Sequence, residues 1–434
     1  MQIPYTKRTL SNGLDVIVHE DRDLPIVAVN LWYHVGSKNE QRGRTGFAHL
    51  FEHLMFEGSA HHDKGYFPPL QEAGASLNGS TNADRTNYWE VVPTGALDLA
   101  LWMESDRMGF LLPALTREKF ENQRDVVLNE RRQNYENRPY GLAMMAIASA
   151  LYPESHPYSW STIGSPDDLV AARLDEVHDF FSTYYHPGNA SIALAGDVDA
   201  EDAVALVARY FGDIPRGPDV GPVAVDTPAL TGDVRLVLED RVEFPRLYLA
   251  WHSAALFADG DAELDLLGDL LANGKTSRLY RALVFDRRVA VDVAAFQNSR
   301  ELSGFFLVTA TAAPGHGLGE IDAAITHEIA RITDEGPTPD ELERGLAQAE
   351  AQFVYRLQTV GGFSGKSDQL NAYNTFVGDP GFFTEDLERY RAVDAGHIRR
   401  AAGRLARDRR VALSVVPRGR GELALLGSSP AVVS

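Results

Sequence analysis

Lys7-Arg8-Thr9-Leu10, the turn pair Asn12-Gly13 and then Leu14 to Val18, whose polar and apolar positions follow a strand pattern, predict a β-hairpin. After Pro25 a β-rich run follows, Ile26 to Gly36. Between Gly46 and Phe56 the pattern becomes helical, with Leu50, Phe51, Leu54, Met55 and Phe56 making the stretch apolar on most sides. His49 and His53, four apart, lie roughly 40° apart around such a helix, and Glu52 sits within about 100° of both, so three polar groups share one face. From Gly74 the chain turns extended again and predicts two strands, within Ala75–Asn82 and Arg85–Val92. A helix is predicted from Leu97 to about Met108. Another follows Thr116, a residue type that caps helices, with Glu118 in its first turn. It is expected to turn Phe120, Val126, Val127 and Leu128 inward and to present Gln123 and Glu130, seven apart, on a common side. A helix over Glu176–Tyr185 leads through His186-Pro187-Gly188 into a strand at Ala190–Ala195.

The clearest boundary is the Pro/Gly-rich run Pro215 to Pro222, beyond which the chain begins again. Glu20-Asp21-Arg22, then a proline and Trp32, is echoed by Glu239-Asp240-Arg241, Pro245 and Trp251. The copies also end alike, each on a helix that enters a strand, Ser191–Ala195 in one and Val411–Val416 in the other. The helix Ala262–Ala272 corresponds to the histidine helix. Aligning Gly58 with Gly274 puts Asp265, Gly268 and Asp269 where the first copy has His49, Glu52 and His53, so the second copy lacks the set. The expected fold is α+β: two homologous α/β-sandwich domains in tandem, each a mixed, largely antiparallel sheet with helices packed on it. The expected division is 1–214, a linker 215–232, and 233–434, with one chemical copy and one structural copy.

Composition narrows the function classes. A net charge of −20 argues against nucleic acid, which needs concentrated Lys and Arg. With no cysteine, disulfides, thiolate nucleophiles and Cys-based metal sites are excluded. The first residues lack the apolar core of a secretory signal, and no run of 18 apolar residues could span a membrane. A soluble protein, cytoplasmic or periplasmic, is the expectation.

Two imidazoles and a carboxylate on a largely buried helix are costly unless something pairs with them, and a divalent metal would do so. Catalytic zinc takes three protein ligands and keeps one position for water. His49 and His53 supply two, and the third should be a carboxylate or imidazole from a different element. Glu52 is placed to take a proton from a metal-bound water, whose lowered pKa would make hydroxide available near neutrality for peptide hydrolysis. The plainer alternative is that these three residues satisfy one another between helices. Other motifs weigh less. Gly361 to Ser367 looks like a phosphate loop, but Val360 stands where the pattern needs glycine, so a helix-breaking loop is expected. His61-His62 is expected in a solvated loop, and His186 at a helix end.

His49-Leu50-Phe51-Glu52-His53 is the inverted zinc motif H-x-x-E-H. With Gly46-Phe47-Ala48 before it and Glu57-Gly58-Ser59 after it, it resembles the pitrilysin/insulinase (M16) metallopeptidases. The resemblance implies a third ligand, a glutamate about 77 residues past the second histidine, and Glu130 fits that position. It covers nearly the whole chain and is similar to the short-chain branch that includes mitochondrial processing peptidase β subunits and bacterial homologues. The family often has a second glutamate one helical repeat before the ligand, where this chain has Gln123. It further implies one zinc per chain, and peptide substrate added as an extra strand beside the metal at Leu77-Asn78-Gly79-Ser80-Thr81. Larger members have four such domains around a chamber, which implies a homodimer or a heterodimer with a related chain. The function so implied is a zinc endopeptidase for peptides or unfolded segments. The alternative is a non-catalytic assembly subunit, like the core proteins of the respiratory bc1 complex.

Overall fold

The computed structural model describes residues 2–433. Its first hairpin forms because Gly13, at φ 91°, takes the left-handed conformation that the reversal requires. Strands β1 (Thr6–Thr9) and β2 (Asp15–Glu20) pair antiparallel across it, Thr6 opposite Val18. With β3 (Ile26–Tyr33), β4 (Ser76–Thr81), β5 (Thr86–Pro93) and β6 (Ala190–Gly196) they make a six-stranded sheet in the order β1-β2-β6-β3-β5-β4. Only β2 and β6 run parallel in it. The central β3 and β6 are buried on both faces, so they read as continuous apolar runs and not as alternation.

The second sheet repeats this plan. It is built from β7 (Asp233–Asp240), β8 (Arg246–Ser253), β9 (Ala290–Asn298), β10 (Gly304–Ala312), β11 (Arg410–Pro417) and β12 (Ser429–Pro430), in the order β12-β7-β11-β8-β10-β9. Matching β2 with β7, β3 with β8, β4 with β9, β5 with β10 and β6 with β11 superposes the two orders. The remaining outer place is taken by the N-terminal β1 in one sheet and by the C-terminal β12 in the other. Trp32 lies on β3 and Trp251 on β8, as the sequence echo requires.

Each sheet belongs to a compact unit, and the units draw on both halves of the chain. The first comprises the chain through Asn129, Ser161–Val223 and Phe353–Glu385; the second comprises Glu130–Trp160, Ala224–Gln352 and the chain from Asp386. In the first unit the helix Lys366–Val377, from the later half of the chain, is bonded to the sheet by its polar residues. Asn371 Nδ2 donates to the Asn30 carbonyl at 2.7 Å and the Trp32 indole donates to Asp368 at 3.0 Å. In the second unit the segment after the helix Ala143–Leu151, from the earlier half, is tied down likewise. The Tyr152 hydroxyl donates to the Gly304 carbonyl at 3.3 Å, and the Leu302 amide donates to the Tyr158 hydroxyl at 3.0 Å.

The helix after Thr116 spans Arg117–Arg131, and Thr116 Oγ1 accepts from the Lys119 amide at 3.2 Å, a cap of the expected kind. One expectation fails here. Phe120 and Val127 are buried, but Val126 is 43% exposed. Val126 is three residues past Gln123 and four before Glu130, so it shares their side of the helix and cannot also face the core.

Candidate metal centre

The histidine helix runs Phe47–Leu54. Its start is fixed by Gly46 at φ 93°, where a Cβ would come within 3.0 Å of the Ile163 carbonyl oxygen. The first amides of a helix lack intrahelical acceptors, and here the buried Glu40 carboxylate supplies them. Its two oxygens accept from the Gly46 amide at 3.0 Å and the Ala48 amide at 2.9 Å. The preceding loop is held by Asp168, which accepts from the amide and hydroxyl of Thr45 at 3.0 and 2.6 Å. Leu50, Phe51 and Leu54 are fully buried, each contributing about 1.5–3 kcal/mol by burial. Phe51 packs against Phe180, Phe181 and Tyr185 of the helix Leu174–Tyr184 and the residue after it. The polar face is only half-buried. There the His49 and His53 rings lie 4.9 Å apart, edge to face.

His49, His53 and Glu130 each offer a ligand atom, and those atoms lie within 4.8 Å of one another. The edge of a tetrahedral zinc site is about 3.4 Å at ordinary bond lengths, so small side-chain adjustments bring this set onto an ion. Two imidazoles and a carboxylate are also the donor chemistry that zinc takes when one position stays open. The residues present therefore fit a divalent metal. Glu130 is on the last turn of Arg117–Arg131 and accepts from Asn134 Nδ2 at 3.3 Å. Glu52 is half-buried on the histidine helix Phe47–Leu54, and its charge reaches three neighbours. Burial pulls the Arg85 guanidinium below the usual arginine range, and Asp368, Glu52 and Asp84 pull it back. Burial pushes the hydroxyls of Tyr88 and Tyr185 up, and Glu52 adds to both shifts.

Gln123 carries an amide and no carboxylate, and that amide donates to Glu57, three residues past the end of the histidine helix. Leu77, Asn78, Gly79, Ser80 and Thr81 form most of β4, the outermost strand of the first sheet, which pairs only with β5 among the described residues. Arg85 fixes the end of this strand, donating to the Ser80 carbonyl at 3.0 Å and to its hydroxyl at 2.6 Å while lying over the Trp32 ring. Three residues escaped the sequence reading. Glu40 and Glu57 carry no spacing signal, because their partners are backbone amides and a glutamine from another helix. Arg85, inside a predicted strand pair, gave no hint that it would turn back onto β4. Of the minor motifs, His61 meets Asp106 at 2.5 Å in a loop, and Gly361 to Gly365 forms turns before the helix at Lys366.

Two family models match this chain, Insulinase (Peptidase family M16) over residues 15–161 and Peptidase M16 inactive domain over residues 171–349. The chain belongs to peptidase family M16. The first match contains His49, Glu52, His53 and Glu130; the second lies mostly in the copy that lacks them. The zinc protease PqqE of Helicobacter pylori is 28% identical over 365 residues, 82% of this chain and 81% of that protein. The probable mitochondrial-processing peptidase subunit beta of Arabidopsis thaliana is 23% identical over 434 residues, 96% of this chain and 79% of its own. Among solved structures, that of a protease from Helicobacter pylori aligns with a TM-score of 0.88 at 25% identity, covering 95% of this chain and all of that one. The chain thus carries two M16 domains, each a mixed sheet with helices packed on it. No helix among the described residues is long and apolar enough to cross a membrane.

Proposed function

We propose that the chain is a zinc-dependent endopeptidase that cuts peptides or unfolded polypeptide segments, holding one zinc through His49, His53 and Glu130. The observation that carries this is the convergence of those three donors within 4.8 Å, from two separate helices, beside Glu52. Zinc at such a site supplies an acidified water and a Lewis acid for the scissile carbonyl. The protein does the rest. Glu52, on the turn between the two histidines, takes the proton from the attacking water and returns it to the leaving amide nitrogen. The Glu40 cap and the aromatic cluster around Phe51 hold the helix, and so both imidazoles, in place before substrate arrives. Gln123 acts at one remove, through Glu57.

Substrate is taken as an added strand on the outer edge of β4, along Leu77–Thr81. Backbone pairing fixes a peptide with little regard for its side chains, and it requires an unfolded segment. The copy after the linker 215–232 is proposed as non-catalytic, in keeping with the printed description of the family model that matches most of it. The Arabidopsis relative is by name a subunit, and on that ground a homodimer, or a heterodimer with a related chain, is proposed here too.

The deciding experiment pairs metal analysis with cleavage of a quenched peptide, comparing the parent with Glu52→Gln. The parent should hold about one zinc per chain and cut; the variant should hold zinc without cutting. A parent that takes no metal and cuts nothing, alone or with any partner chain, would leave a scaffold role. Size-exclusion chromatography at active concentrations checks the assembly, and a monomer there sinks the dimer.

A further inference from the structure

A peptide on β4 turns only half of its side chains toward the histidine helix. Strand side chains alternate between faces, so its other half must lie on the opposite face of the sheet. The parity of β4 is fixed by its neighbours. At Gly79 a Cβ would come within 3.1 Å of the rings of Phe56 and Tyr88, so Gly79 faces the histidine helix. Ser76, Asn78 and Ser80 face the other way. There Ser80 Oγ donates to Asn87 at 2.7 Å, and Asn87 donates to Asp368 at 3.2 Å.

That opposite face carries a groove of about 570 Å³, and Leu24, Ile26, Ser76, Trp89, Val91 and Val360 are among the residues that line it. One wall exists because of Gly361, in the loop before the helix at Lys366. A Cβ at Gly361 would lie 2.5 Å from Ala28 Cβ and 2.6 Å from Val91 Cγ2, so only a bare backbone can lie this flat on β3 and β5. Phe363 of the same loop meets the Trp89 ring edge-on at 5.5 Å. A further observation points to an occupant: Leu24 is 61% exposed at the groove, a large apolar side chain left uncovered beside Ile26, Trp89 and Val91.

We propose that this groove is a specificity subsite for an apolar side chain of the peptide bound to β4. The inference rests on the β4 reading above. Ser76, the first residue of β4, is itself part of the lining, so the groove is continuous with the strand edge. Diagonal neighbours on adjacent strands lie about 7–8 Å apart, within reach of a leucine or phenylalanine. Of the two carboxylates at the groove, Asp21 is already matched by Lys366 at 2.5 Å and Asp23 is exposed to solvent, so neither calls for a basic side chain.

The test uses quenched peptides in which one position at a time is Ala, Leu or Phe, with the cut site read by mass spectrometry to set the register. At positions of the parity that faces the groove, Leu or Phe should raise kcat/KM about tenfold or more over Ala. The substitutions Leu24→Ser and Trp89→Ala should bring that ratio toward one. Leu24 is exposed, so its replacement does not threaten folding. A flat scan, or an advantage that survives Leu24→Ser, overturns the subsite. Should nothing be cleaved, the peptidase reading fails separately. Binding of the same peptides to the Glu52→Gln protein, read by fluorescence polarisation, still decides the groove. A Leu-over-Ala preference of one parity that Leu24→Ser removes supports it. Binding without that parity, or a change in oligomer mass on Leu24→Ser with no effect on peptides, refutes it.

Discussion

Removing the Glu40 carboxylate should loosen the start of the histidine helix while leaving both sheets intact. In Glu40→Ala the amides of Gly46 and Ala48 lose acceptors at 3.0 and 2.9 Å, in a place from which water is largely excluded. Hydrogen bonds to a charged partner contribute about 1.5–3 kcal/mol each, so the pair is worth roughly 3–6 kcal/mol. The favourable placement of a negative charge at a helix N-terminus adds about 0.3–1 kcal/mol. Each 1.4 kcal/mol is about tenfold in an opening equilibrium, so exchange of the amides from Gly46 to Phe51 should quicken by roughly 10² to 10⁵. Glu40→Gln keeps one acceptor and loses the charge, and about tenfold is expected. Hydrogen exchange read by mass spectrometry resolves this, with β2 and β6 as internal controls that should not change. The Thr45 to Asp168 contacts remain in both variants, which confines the effect to the cap. If Glu40→Ala changes exchange in this stretch by less than threefold, the cap does not hold the helix. The view that the imidazoles are positioned from its N-terminus would then be abandoned.

Gln123→Glu would set a second carboxylate against Glu57 in place of a donating amide; a destabilisation of about 1–3 kcal/mol, larger at pH 8 than at pH 5, is expected in urea titrations. Gly268→Ala should destabilise the second unit although alanine favours a helix by about 1 kcal/mol, because the new Cβ would come within 3.1 Å of the Phe296 backbone; a rise in thermal midpoint would contradict this. His156 is lowered to about 4, chiefly by burial and then by His252 and Arg300. Its Nδ1 accepts from the Tyr158 amide at 3.0 Å, a bond that protonation breaks. The sign follows from proton binding. Between about 6.5 and 4 the unfolded chain holds the extra proton, so the stability due to neutral His156 is complete above pH 6.5 and is lost as pH falls toward 4. His156→Gln should flatten stability against pH in that window, and an unchanged slope would refute the assignment.

What could be read from the sequence was whatever depends on near neighbours. The hairpin at Asn12-Gly13, the helix at Phe47–Leu54 and the cap at Thr116 all follow from periodicity and turn chemistry within a dozen residues. The repeat was legible because a proline, a tryptophan and an acidic pair recur at matched offsets, and the two sheets have the same strand order. Contacts between distant segments were not legible. Nothing local to Asn371 or Asp368 says that the helix carrying them bonds to β3 in the first unit. Within the candidate site, His49, Glu52 and His53 announce themselves by spacing. Glu130 does not: one glutamate in the charged helix Arg117–Arg131 looks like a solvated residue until the family resemblance singles it out.

The two copies share strand order, a histidine-helix equivalent and a left-handed glycine at its start, Gly46 at φ 93° and Gly260 at φ 96°. The difference in chemistry must therefore lie in a few side chains and in how closely the helix approaches the sheet. At Gly268, which aligning Gly58 with Gly274 sets opposite Glu52, a Cβ would come within 3.1 to 3.2 Å of the β9 backbone at Phe296 and Ala295, which crowds out a carboxylate there. In the first unit the close approach occurs instead from the strand side, at Gly79, which meets Phe56 just past the helix end. Moving the glycine from helix to strand leaves room on the helix for a polar face and still lets β4 lie near it. On that reasoning, restoring His49, Glu52 and His53 at the equivalent positions of the second copy would fail for want of space before it failed for want of a third ligand.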